Sequence, residues 1–260
     1  MMGVINVTPD SFSDGGLYLD ADKAVAHGLE LEAQGADILD IGGESTRPGA
    51  APVSDEVERE RVLPVLDGLA GAGTRAQLSI DTSKASVAEA AIAAGATFVN
   101  DVTALRGDPA MAEVVASRGV DCCLMHMLGE PRTMQENPRY DDVVGDVRAF
   151  LVERVEFAVA HGIEEQRILL DPGIGFGKTL EHNLQLLRRL EEIVSIGRPV
   201  VIGTSRKSFL GRLTGRDDPH ERLPGTIATN VLAYERGARI FRVHDVAAVR
   251  DALRVAARFS

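Results

Sequence analysis

Arg242 and His244 stand two apart at the end of a short strand-like run, Ile240–Val243, so if the strand carries through both their side chains share a face, and two cations so placed suit an anion such as a diphosphate. Lys207, two past Ser205, could bring a third positive charge to the same place. Asp81, Asn100 and Asp171 each close a different apolar run. A carboxylate accepts two adjacent N–H groups and a carboxamide offers a donor beside an acceptor, a set that matches the edge of an amino-oxo pyrimidine. The competing reading is that Asp81 and Asp171 cap the helices that follow them. Asn6, together with a diphosphate, would supply oxygen ligands for Mg²⁺, and no all-protein metal cage is expected.

The segment Ile168–Thr179 shows the local logic most clearly. Three apolar residues lead to Asp171, a glycine-rich turn follows, and a helical pattern begins at Leu180. Two phosphate motifs fail against it. A P-loop ending at Gly177-Lys178-Thr179 would need its first glycine at Pro172, which has no N–H, and a dinucleotide fingerprint from Gly173 would need its third glycine at Lys178. A tight turn whose glycines supply positive φ, and a ligand site, both remain open.

These residues are positioned by a repeated unit. Helix, glycine, one or two connecting residues and apolar strand recur at Gly35, Gly73, Gly95, Gly119, Gly162, Gly197 and Gly237, each placed as the left-handed residue that ends a helix. The strands predicted are 3–7, 38–42, 77–81, 98–101, 122–126, 168–171, 200–204 and 240–243. The helices are 20–34, 55–70, 84–94, 109–118, 142–161, 180–194, 221–236 and 245–258, with a kink expected at Pro64. Alternating strand and helix implies parallel strands with right-handed crossovers. At 260 residues a closed (β/α)₈ barrel in one domain, 1–260, is the leading fold and a doubly wound open sheet the second. In such a barrel the site lies at the carboxyl ends of the strands. Those ends read Asn6, Glu44 to Arg47, Asp81, Asn100-Asp101, His126, Asp171, Ser205 to Lys207, and Arg242 with His244.

Composition narrows the partners. A net charge of −11 disfavours nucleic acid bound over a broad basic surface, so any anion must meet a local cluster of cations and the substrate is expected to be small. No apolar run is long enough to span a bilayer, which leaves the cytoplasm as the expected compartment. The two cysteines, Cys122 and Cys123, are strand neighbours that point to opposite faces, so they are expected to be core thiols rather than a disulfide. Three connecting segments, Thr8–Gly16, Glu44–Pro52 and Met127–Tyr140, are long and rich in functional groups. The first two are expected to be lids, the third has no assigned role, and Val246, Val249 and Leu253 suggest an interface on the last helix.

Taken together, the motifs from Asn6-Val7-Thr8-Pro9-Asp10 to Gly15-Gly16, Asp40 to Gly49, Ile80-Asp81-Thr82, Asn100-Asp101, Asp171 to Lys178, Ser205-Arg206-Lys207 and Arg242 to Val246 closely resemble the dihydropteroate synthase family, the folate-pathway enzymes inhibited by sulfonamides. The likeness runs along essentially the whole chain. It implies a (β/α)₈ barrel, usually a homodimer, that joins 6-hydroxymethyl-7,8-dihydropterin diphosphate to p-aminobenzoate with Mg²⁺. By the same resemblance Asp81, Asn100, Met125, Asp171, Gly175 and Lys207 would hold the pterin. Asn6, Arg242 and His244 would hold the diphosphate, with Asn6 on the metal. Phe12, Thr46, Arg47, Pro48, Phe176, Ser205 and Lys207 would form the p-aminobenzoate pocket, and Asp10 or Asp14 would stabilise a developing cation. Family members usually carry residues ahead of the first strand that help cover the barrel floor, whereas here that strand begins almost at Met1. The rivals are a methyltetrahydrofolate:corrinoid methyltransferase, which would need the pterin acids without Arg242 and His244, and a paralogue that binds pterin without turnover.

Overall fold

The computed structural model of the chain describes residues 1–8, 21–46 and 49–259. Its strands are β1 (Met2–Asn6), β2 (Ile38–Gly42), β3 (Gln77–Asp81), β4 (Phe98–Asp101), β5 (Asp121–Met125), β6 (Ile168–Asp171), β7 (Val201–Ile202) and β8 (Ile240–Val243). All pair in parallel in the order β6-β5-β4-β3-β2-β1-β8-β7, and a bridge from Leu170 to Val200 joins the two ends of that row. The result is a (β/α)₈ barrel rather than an open sheet. The helices described are α1 (Ala21–Gln34), α2 (Asp55–Gly71), α3 (Ala85–Ala93), α4 (Met111–Arg118), α5 (Val143–Ala160), α6 (Leu180–Arg188), α7 (Leu190–Val194), α8 (Ser208–Thr214), α9 (Leu223–Glu235) and α10 (Val246–Ala256). All seven junction glycines have positive φ, from 60° at Gly119 to 108° at Gly95, which explains why that punctuation located the strands.

Side-chain alternation sorts each strand into an outward apolar set and an inward set of mixed character. Met2, Phe98, Cys123 and Val201, with Ile38, Leu169 and Ile240 against them, form an apolar cluster of their own, the plug of the barrel interior. Their strand neighbours Leu39, Val99, Cys122, Leu170, Val200 and Phe241 belong instead to the larger core shared with the helices. Cys122 and Cys123 therefore do face opposite ways, and both are free thiols. Two residues beyond Ile38, Phe98, Leu169 and Ile240 come Asp40, Asn100, Asp171 and Arg242, so a polar layer rests directly on the apolar plug. At the opposite rim the amino terminus pairs with Asp37 at 2.5 Å and Gln77 reaches Asp121 at 2.8 Å.

Several expectations require correction. The predicted helix 180–194 breaks at Arg189, whose guanidinium holds Asp142 at 2.8 and 3.1 Å and Glu192 at 2.7 Å. Helix α4 starts at Met111 rather than at residue 109, because Asp108 spends one carboxylate oxygen on Ala110 N and the other on Ala85 N at the start of α3. Helix α8 was not foreseen, although Gly215, with φ 70°, marks its end. Pro64 does lie inside helix α2, where the sequence placed it. Val246, Val249 and Leu253 are buried against the barrel, so they cannot serve as an interface; the exposed apolar positions near that end are Val255 and Phe259. Among the described residues no helix is long and apolar enough to cross a membrane.

Candidate active site

The polar layer is built around a residue that the strand tips do not reveal. Asp40, in the middle of β2 and fully buried, accepts hydrogen bonds from Ser79 Oγ at 2.6 Å, Asn100 Nδ2 at 3.1 Å and Arg242 Nε at 2.6 Å. Arg242 also donates through Nη2 to Asp81 at 2.7 Å. One guanidinium thus bridges two carboxylates and orients both. Burial is the largest influence on Asp81 and pushes it up to about 7 against the pull of Arg242, with Asp40 adding to the rise. The same two acids hold Arg242 above its usual range despite its own burial. An aspartate lodged between Leu39 and Ile41 was the available sequence signal, since a charge in an apolar strand needs a buried partner.

Asp171 ends β6 and accepts from Gly173 N at 2.7 Å. Burial raises its pKa, and Lys207 and Arg242 act in the opposite direction. The two acids are not helix caps: Asp81 turns to Arg242, α3 starts after Lys84 with no side-chain cap, and α6 is capped by Thr179. Among the described residues, Asp81 Oδ1, Asp171 Oδ2 and Asn100 Oδ1 take no hydrogen bond from the protein, so each keeps an acceptor for the mouth. Lys207 donates to Ile174 O, and its ammonium lies 4.6 Å from the centre of the Phe176 ring. Burial lowers Lys207 to about 8, with Asp171 opposing and Arg242 adding to the fall.

The glycine-rich turn is braced from behind. A Cβ on Gly173, whose φ is 67°, would fall on the carbonyl oxygen of His126, so only glycine fits. Lys178, the failed P-loop lysine, is buried and donates to Phe176 O at 3.0 Å and to His126 Nδ1 at 2.9 Å. Burial, then Lys178, hold His126 down to about 3, so this imidazole stays neutral and structural. The Met127–Tyr140 segment now has a role: Gln135 donates to Gly175 O at 2.6 Å and Tyr140 to Gly177 O at 2.8 Å. Met125 packs with Val102, Met127 and Met134 against Phe176.

On the other side of the mouth Ser205 Oγ lies 2.9 Å from His244 Nδ1 and accepts from His244 N at 3.2 Å, which orients the imidazole. Between Ser205 and Lys207, Arg206 adopts φ 58° and turns away to Asp245, at 2.5 and 2.9 Å. It belongs to the scaffold, as does Asp101, whose carboxylate accepts from Thr103 N and Leu105 N at 2.8 Å. Asn6 points inward by its parity with Met2, and among the described residues its carboxamide has no hydrogen-bond partner. Thr46 is half-buried at the start of the segment that leaves β2. Asp10, Phe12 and Asp14 on the first expected lid, and Arg47 and Pro48 on the second, lie outside the described residues.

Acids and an amide at a barrel mouth, with cations set among them, define a barrel enzyme suited to a flat heterocycle carrying an anionic group. A family model described as pterin binding enzyme matches residues 2–244. The dihydropteroate synthase of Neisseria meningitidis serogroup C is 50% identical over 257 residues, 98% of this chain and 90% of that protein. The solved Xanthomonas albilineans dihydropteroate synthase with 4-aminobenzoic acid superposes with a TM-score of 0.93 at 52% identity, covering 99% of this chain and 92% of that one. The same enzyme in complex with 7,8-dihydropteroate gives 0.90 at 49% identity, with coverage of 99% and 92%. The chain belongs to the dihydropteroate synthase family, and this identity favours the synthase over the corrinoid methyltransferase and the non-catalytic paralogue.

Proposed function

We propose that this mouth joins 6-hydroxymethyl-7,8-dihydropterin diphosphate to p-aminobenzoate, forming 7,8-dihydropteroate and diphosphate in the cytoplasm. The single observation that carries the assignment is the set of acceptors left open among the described residues on Asp81, Asn100 and Asp171, beside Arg242 and Lys207. Those acceptors match the amino and ring N–H groups of a pterin, with Met125 and Gly175 beside the ring and Lys207 beneath it. Arg242 and His244 receive the diphosphate. The C–O bond to the pterin methylene breaks, diphosphate leaves with the electron pair, and the arylamine nitrogen attacks the methylene and gives up a proton. Asp10 or Asp14 stabilises the positive charge that develops there. Phe12, Thr46, Arg47, Pro48, Phe176, Ser205 and Lys207 surround p-aminobenzoate, with Ser205 also setting the angle of His244. No protein nucleophile enters the reaction, and burial pushes the Cys122 thiol up to about 12, far from a reactive thiolate.

The carboxamide of Asn6, without a hydrogen-bond partner among the described residues, is a hard oxygen donor of the kind Mg²⁺ accepts. Among the described residues no cluster of three acidic, histidine or cysteine side chains could hold a metal. Asn6 and the diphosphate oxygens would therefore hold the ion, whose contribution when bound is to neutralise the departing charge. Diphosphate release is expected only when dihydropterin diphosphate, p-aminobenzoate and Mg²⁺ are supplied together; release without the arylamine, or undiminished in a chelator, would remove the reading. The pair of chains usual in the family is part of this proposal. Sedimentation at the mass of one chain, 27.8 kDa, would remove that part alone.

A further inference from the structure

The segment from Glu44 to Val53 leaves β2 and enters α2, and its base is closed by side chains rather than by the strand ladder. Glu44 Oε1 accepts from Val53 N at 3.0 Å, which ties the two ends of the segment together. Its other oxygen, Oε2, takes a hydrogen bond from Lys84 Nζ at 2.6 Å. The same ammonium reaches Glu58 on α2, a fully buried carboxylate whose remaining oxygen has no partner among the described residues. Arg61 adds a bond to Gly43 O at 2.8 Å at the foot of the segment. Lys84 itself sits three residues past Asp81, with its backbone N–H donated to Thr82 Oγ1 at 3.2 Å.

A buried glutamate with one cation cannot release it cheaply, so Glu58 fixes Lys84, Lys84 fixes Glu44, and Glu44 fixes the far end of the segment. Burial pulls the Lys84 ammonium down, but the bonds and charges of Glu44 and Glu58 outweigh it and hold the group above its usual range, charged throughout the working pH. Lys84 has no cap to make and no route to the mouth while it is held between two acids. The segment it anchors carries Thr46 and Arg47.

We propose that Lys84, acting through Glu44, is a positioning residue for p-aminobenzoate: it anchors the segment whose sequence carries Thr46 and Arg47, and so governs the arylamine site without touching the pterin site. The inference rests on the assignment of Thr46 and Arg47 to p-aminobenzoate in the preceding subsection. Glu44→Ala is the sharper test, because it cuts the tie to Val53 and leaves the Lys84 to Glu58 pair in place. It should raise KM for p-aminobenzoate about tenfold, the effect of freeing a few ordered side chains. KM for dihydropterin diphosphate should stay within about twofold and the melting temperature should be nearly unchanged. Lys84→Met should show the same KM split with a lower melting temperature, and Lys84→Arg, which keeps a cation between the two acids, should return most of the affinity. Equal increases in both KM values, or a loss of kcat alone, would overturn the proposal. So would an unchanged Glu44→Ala enzyme beside a Thr46→Ala or Arg47→Ala enzyme with raised KM for p-aminobenzoate, and that outcome would leave the site assignment standing. If none of the three variants moved that KM, the assignment and the inference would fall together.

Discussion

Arg242→Ala should unfold far more readily than the parent protein. The substitution removes the cation from Asp40, which is fully buried, and from Asp81, which is nearly so, at contacts of 2.6 and 2.7 Å. Stripping one partner from a buried pair costs about 3–5 kcal/mol, because the charge left behind has neither water nor a counter-ion. In a protein of this size that corresponds to a fall of roughly 6–20 °C in melting temperature. Adding Asp40→Asn to the same chain should recover part of the loss, since the orphaned charge is then gone and Asn can still accept from Ser79. A single variant that lost no more than about 1 kcal/mol would mean that Arg242 behaves as a solvated surface cation, and the polar layer would not be the frame described above.

Asp171→Asn should do the opposite, with little effect on folding and a large effect on the pterin. The asparagine can keep the bond from Gly173 N, and the buried negative charge it removes is one whose burial already raises its pKa. Its second oxygen becomes an amide that presents N–H groups where the heterocycle also presents N–H. Losing charge-assisted bonds of this kind costs about 3 kcal/mol, so affinity for a dihydropterin should fall by roughly 100-fold or more. Lys207 would follow. With Asp171 neutral it loses the charge that opposes its burial, and its pKa should drop further below about 8. Unchanged affinity measured by calorimetry would place the ring elsewhere.

The architecture was legible because its signals are local. A left-handed glycine after each helix and a run of β-branched or aliphatic residues after each glycine do not depend on distant contacts, and seven of the eight predicted strands lie within one residue of those observed at both ends, with β7 shorter. The strand tips were legible for the same reason. The layer beneath them was not. Asp40 lies inside a strand, so a search along tips passes over it, and its partners come from residues 39, 60 and 202 positions away. Arg206 shows the converse error of adjacency: it stands between two residues that face the mouth, yet a backbone turn of φ 58° sends it to Asp245. Lys178, left without a role once the P-loop fails, is a buttress, because its surroundings are two carbonyls and an imidazole that no spacing rule announces.

Asp40 also explains why the apolar plug matters to chemistry. Met2, Phe98, Cys123 and Val201 exclude water from below, so the bonds among Asp40, Asn100, Arg242 and Asp81 are made in a medium that strengthens them. The open acceptors above are then held at fixed angles before any ligand arrives, which is the preorganisation that a dissociating diphosphate and a flat ring both require.

The most direct test is to titrate two ligands, the dihydropterin diphosphate and the dihydropterin alcohol without its diphosphate, onto the parent protein and the Arg242→Ala and Asp171→Asn variants below their melting temperatures. The ratio of the two affinities cancels any damage common to both. Asp171→Asn should weaken both ligands alike and leave the ratio at its parent value, while Arg242→Ala should collapse the ratio by weakening the diphosphate form far more than the alcohol. Equal ratios in all three proteins would contradict a mouth divided between ring-binding acids and diphosphate-binding cations.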